Sequence, residues 1–154
     1  MSGLRTEIMT GSFTEALETI LVVDDTENVL NLVVEILETA NFHVLHANSG
    51  VEAVTLAAGY SGKIDLLLSD VQMPEMSGPQ LGDALKRARP DMHVMFMSGF
   101  TGGDLLVLNY GWAFIDKPFV SKQLVEMVNA VLHSPNKSQG NHSFDTRWDN
   151  GAVE

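Results

Sequence analysis

Leu66-Leu67-Leu68-Ser69-Asp70 is the stretch on which the fold turns. A short apolar run set between helical patterns is the mark of a strand buried on both faces of a parallel sheet. With Ile64 in front of it, this is the most apolar such run, over residues 64–69, and it is expected at the centre of the sheet. It stops on a carboxylate. Three other runs stop in the same way. Ile20-Leu21-Val22-Val23 runs into Asp24-Asp25, Val94-Met95-Phe96-Met97 into Ser98-Gly99, and Phe114-Ile115 through Asp116 into Lys117-Pro118. Ligands of open α/β sheets bind in the crevice at the carboxyl ends of the strands. Three carboxylates, a hydroxyl and an ammonium are thus expected at one edge.

The segments between these runs read as helices and one more strand. Residues 27–40 carry Val29, Leu32, Val33, Ile36 and Leu37 at the spacing of one buried helix face. A strand is expected over 43–47. Ser49 and Glu52 form a capping-box pattern opening a second helix to about residue 58. Ser77 and Gln80, with Pro79 in the first turn, open a third, which Pro90 ends. A fourth strand is expected over 93–97 and a fifth over 112–116. A fourth helix over 101–109 is weakened by Gly102-Gly103, each costing about 1 kcal/mol relative to Ala. Ser121 is the expected cap of a last helix that turns Leu124, Val125, Val128, Val131 and Leu132 inward. Strict strand–helix alternation predicts an α/β fold, a doubly wound parallel sheet with helices on both faces.

With 154 residues the chain has room for one domain with tails. The expected division is an N-terminal extension at 1–18, a domain at 19–133 and a polar, disordered tail or linker at 134–154. Trp148 is the largest side chain of that tail. A formal net charge of −11 argues against nucleic acid and anionic membrane as direct partners. Without cysteine there is no disulfide framework and no thiolate zinc site. No run approaches a membrane span and no signal peptide opens the chain, so a cytoplasmic setting is expected.

One Asp after the first strand would suffice to cap a helix; Asp24-Asp25 is two adjacent acids that repel each other. Met73-Pro74 and Gly78 shape a compact loop that holds Asp70 in a fixed pose. Three carboxylates suit Mg²⁺ (or Mn²⁺), which takes few protein ligands and keeps several waters. Pro118 makes the Lys117–Pro118 bond a candidate for a cis peptide.

In this order and spacing, the motifs 21–25 (Leu-Val-Val-Asp-Asp), 70–78 (Asp-Val-Gln-Met-Pro-Glu-Met-Ser-Gly), 97–99 (Met-Ser-Gly) and 116–119 (Asp-Lys-Pro-Phe) resemble the response-regulator receiver domain of two-component signalling over about residues 19–133. The resemblance implies a flavodoxin-like (βα)5 fold with strand order 2-1-3-4-5. It implies Asp70 as phosphoacceptor, taking the phosphoryl group from the phosphohistidine of a histidine kinase or phosphotransfer domain. It implies Asp24, Asp25, Asp70 and the Gln72 backbone carbonyl as metal ligands. Lys117 and Ser98 would hold the phosphoryl oxygens, and Ser98 with Phe114 would form a switch. Such a protein is a signalling switch that assists its own phosphorylation and dephosphorylation, not an enzyme with a separate substrate. The face beside 98–119 usually serves a downstream protein partner or a homodimer. Residues 77–81 and 96–101 are similar to receivers attached to hybrid sensor kinases.

Two readings compete. A receiver-like interaction module needs no phosphorylation, yet every phosphorylation residue is present. An aspartyl-phosphate phosphatase wants Asp-x-Asp-x-Thr after the first strand, where this chain has Asp24-Asp25-Thr26-Glu27. From Ser98 to Lys117 the chain is a few residues shorter than many receivers, and a short, distorted fourth helix is expected.

Overall fold

In the computed structural model of the chain, residues 17–99 and 112–134 are described. The expected helix at 101–109, both tails and Trp148 lie outside them. The elements are β1 (Thr19–Val23), α1 (Glu27–Thr39), β2 (His43–Ala47), α2 (Gly50–Gly59), β3 (Leu66–Asp70), α3 (Gly78–Ala88), β4 (His93–Ser98), β5 (Ala113–Asp116) and α4 (Ser121–Leu132). The five strands form one parallel sheet in the order β2-β1-β3-β4-β5.

β1 and β3 are buried along their whole length because both faces are covered. Alternate residues feed two cores. Ile20, Val22, Leu66, Leu68, Met95 and Met97 pack under α1 and α4, with Leu30, Val33, Leu37, Leu124, Val128 and Leu132. Leu21, Val23, Leu67, Val94 and Phe96 pack under α2 and α3, with Ala53, Ala57, Leu81 and Leu85. Fully burying one such Leu or Ile side chain contributes about 1.5–3 kcal/mol.

Two details differ from the sequence reading. Leu32 is 51 % exposed, while Leu30, Val33 and Leu37 are the buried line of α1. At 100° per residue, Leu32 projects roughly 130° away from that line. Ser121 is the first helical residue of α4, not its cap. Val120 takes the extended backbone that an N-cap requires, and the helix starts without a side-chain cap. The capping box of α3 is complete, with Ser77 Oγ accepting from Gln80 N and Gln80 Oε1 accepting from Ser77 N. At α2, Ser49 Oγ accepts from Glu52 N, but Glu52 Oε1 reaches one residue further back, to Asn48 N.

At the opposite end of α3, the Arg89 guanidinium donates to the Ala57, Tyr60 and Gly62 carbonyls. One side chain thereby ties together carbonyls at the end of α2 and just past it. The carboxyl ends of β1 and β3 come together where the chain reverses its direction across the sheet. β1 connects outward to β2 on one side and the chain then returns to β3 on the other.

Candidate functional site: a carboxylate cluster with a lysine counter-ion

Each polar residue at the edge is placed by the strand it ends. Asp24 and Asp25 follow β1, Asp70 closes β3, Ser98 closes β4, and Lys117 follows β5. Asp24 is fully buried, Asp70 is 8 % exposed, and Asp25 faces solvent. One carboxylate oxygen from each of the three lies within 4.8 Å of the others. Lys117 Nζ donates to Asp24 Oδ2 at 3.0 Å and to Asp70 Oδ1 at 3.3 Å. Asp24 Oδ1 accepts from Thr26 N at 2.8 Å, which orients the buried carboxylate and starts the turn into α1.

The electrostatics follow from burial and crowding. Burial is the main cause that raises Asp70 from 3.8 to about 6, and the Asp24 charge adds to it, against the opposing pull of Lys117. Burial works against the Lys117 ammonium. The hydrogen bond to Asp24 and the charges of both carboxylates outweigh it and hold Lys117 above its usual range.

These residues surround a cleft of about 260 Å³, lined by Asp25, Thr26, Asp70, Val71, Gln72, Ser98, Gly99 and Lys117. It is smaller than the usual pocket for an organic ligand and suits a group of phosphoryl size. The lining combines the Asp25 and Asp70 carboxylates with the Lys117 ammonium, and Gly99 adds no side chain to it. Among the described residues, a β-carbon on Gly99 would meet only Lys117 Cδ, at 3.9 Å. Ser98 is 3 % exposed, and its carbonyl accepts from Lys117 N at 2.7 Å. The Lys117–Pro118 bond is cis. Phe114 is half-buried on β5, beside Phe96 of β4 and on the same side of the sheet as α2 and α3.

The donor set fits a hard divalent cation. Clustered carboxylates in one partly buried pocket have an unbalanced charge that one ammonium does not neutralise, and oxygen ligands are what Mg²⁺ and Mn²⁺ take. The structure thus brings Asp25, Asp70, Gln72, Ser98 and Lys117 around one space, with buried Asp24 joined to them through Lys117 and the carboxylate cluster, while Phe114 does not line it.

Sequence reasoning missed one residue here. Ser69 is fully buried and donates from Oγ to the Asp70 carbonyl at 2.8 Å. Gly78 stands against the same carbonyl, which a β-carbon would strike at 2.3 Å. The available signal was a hydroxyl in an otherwise apolar strand, one residue before the acid.

Comparison with known proteins agrees with this geometry. The family model of the response regulator receiver domain matches residues 20–129. The sensor kinase CckA of Brucella abortus is 36 % identical over 117 residues, 74 % of this chain and 12 % of the kinase. The transcriptional regulatory protein CpxR of Escherichia coli K12 is 32 % identical over 128 residues, 82 % of this chain and 54 % of CpxR. The chain therefore spans about half or less of these curated relatives. The crystal structure of the receiver domain from the hybrid histidine kinase CckA superposes with a TM-score of 0.64 at 35 % identity, covering 75 % of this chain and 99 % of that one. With its sheet order, its edge of carboxylates and lysine, and a family match over most of its length, the chain belongs to the response regulator receiver domains of two-component systems.

Proposed function

We propose that Asp70 is the phosphoacceptor of this receiver domain, and that the donor is the phosphohistidine of a histidine kinase or phosphotransfer domain. The observation that carries this is the Lys117 ammonium bonded to both Asp24 and Asp70 at the mouth of a cleft of phosphoryl size. An Asp70 carboxylate oxygen attacks phosphorus. A P–O bond forms, the P–N bond to the donor imidazole breaks, and the imidazole leaves with a proton. With a pKa of about 6, Asp70 is mostly ionised at neutral pH and able to attack.

Asp24, Asp25, Asp70 and the Gln72 backbone carbonyl would hold Mg²⁺ or Mn²⁺. A bound cation supplies charge neutralisation for the phosphoryl oxygens, the main demand of phosphoryl transfer. Lys117 supplies the matching charge from the protein side and orients the phosphoryl group. The product adds about −1.5 to −2 charges if it titrates like other phosphate esters. The Ser98 hydroxyl bonds one of its oxygens and moves inward, and Phe114 follows into the space beside it. That rearrangement alters the 98–119 face for a downstream partner.

Donor docking would use the apolar surface of α1, where Leu32 is exposed between half-buried Val29 and Ile36. The test is incubation with phosphoramidate and Mg²⁺ followed by intact mass. A phosphoryl adduct of one group is expected on the wild type and none on Asp70→Asn. No adduct on the wild type, or an equal adduct on the variant, defeats the reading.

A further inference from the structure

We propose that Ser69 is a positioning residue for the nucleophile, acting through the Asp70 carbonyl; the inference rests on Asp70 being the phosphoacceptor. A carboxylate on a short side chain goes where its backbone sends it, so the peptide that follows Asp70 decides its aim. The β1–β3 pairing ends at Val23 and Ser69. The Asp70 carbonyl therefore lies one residue past that ladder, inside the protein. It accepts a hydrogen bond from Ser69 Oγ at 2.8 Å.

Gly78 also closes on this oxygen. A β-carbon there would stand 2.3 Å from it and 3.0 Å from the Phe96 ring. The rest of the peptide is also tied down. Val71 N donates to Met97 O at 3.1 Å, and Gly78 N donates to Val71 O at 2.8 Å. Ser69 itself is fully buried between Val23 of β1 and Phe96 of β4. Its hydroxyl is the element of this clamp that a substitution can remove without changing volume much. The same peptide leads to Gln72, so its orientation bears on both the nucleophile and the residue two positions on.

Without the hydroxyl, the buried carbonyl loses the Ser69 bond and the peptide loses one of the ties that fix its tilt. Small errors of aim are expensive in a reaction that works by positioning.

The experiment follows phosphorylation by phosphoramidate at saturating Mg²⁺, with wild type and Asp70→Asn as references. Ser69→Ala is expected to lower the maximal rate about tenfold, with the half-saturating phosphoramidate concentration changed less than about twofold. Ser69→Thr, which restores the hydroxyl, is expected to recover most of the rate. A Ser69→Ala protein with the wild-type maximal rate overturns the inference, as does a Ser69→Thr protein as slow as Ser69→Ala. Should Ser69→Ala fail to fold, Ser69→Cys keeps the volume with a weaker donor. An intermediate rate then supports the inference and a wild-type rate contradicts it. A wild type that takes no phosphoryl group defeats the underlying assignment of Asp70 instead, so the two failures are distinct.

Discussion

Lys117 Nζ lies 3.0 Å from Asp24 Oδ2, joining residues 93 positions apart across the two ends of the sheet's sequence order. Asp24 is wholly buried, so the lysine is its counter-charge. Lys117→Met leaves Asp24 and Asp70 facing each other without it. Stability at neutral pH is expected to fall by about 1–3 kcal/mol, less than for a fully buried pair because Lys117 is 20 % exposed. Added Mg²⁺ is expected to recover most of the loss, and urea unfolding with and without the ion checks both statements.

Asp70 gives the site a pH signature. Its folded pKa of about 6 is above its unfolded value, so the folded state binds the proton more tightly. The penalty is fully present above about pH 6 and disappears as pH falls toward 4. Without metal, Asp70→Asn is expected to be more stable than wild type by about 1–3 kcal/mol at pH 7.5. The gap should narrow to about a third on acidification to pH 4.5. Thermal melts of the two proteins across that range are the measurement.

Leu32 is exposed enough that its replacement costs the fold little. Leu32→Asp is expected to leave the urea midpoint nearly unchanged, within about 0.5 kcal/mol. Phosphorylation by phosphoramidate should also be unchanged, while phosphotransfer from a phosphorylated histidine kinase slows. Equal transfer rates would remove α1 from the docking surface.

The backbone of Asn41 has φ 73°, in the left-handed region just after the C-cap of α1. Its N–H donates to Glu38 O, and Phe42 N donates to Leu37 O, closing the helix. Asn41→Gly is expected to stabilise by up to about 1 kcal/mol and Asn41→Val to destabilise by about as much or more. Urea unfolding of the pair is the check.

Much of this site was legible because it is written at strand ends. An apolar run that stops on Asp24, Asp70, Ser98 or Lys117 marks both the strand and the edge. Burial on both faces of β3 is also what hid Ser69. In a strand without alternation, no pattern says what a hydroxyl touches, and its partner is the carbonyl of the next residue. Leu32 was misread because α1 carries two overlapping apolar lines that share Val33 and Leu37. Only packing against β1 and α4 selects Leu30, Val33 and Leu37. Ser121 was misread because a favourable cap residue is not a cap unless its backbone is extended, and Val120 holds that position.

The most direct test of the account locates the phosphoryl group. An acyl phosphate on aspartate is reduced by borohydride to homoserine, which marks the residue that carried it. After phosphorylation with Mg²⁺, borohydride trapping and tryptic digestion, fragmentation of the peptide 64–86 should place homoserine at position 70. Homoserine at Asp24, Asp25 or Asp65, or none at all in a protein that has gained phosphoryl mass, would contradict the account.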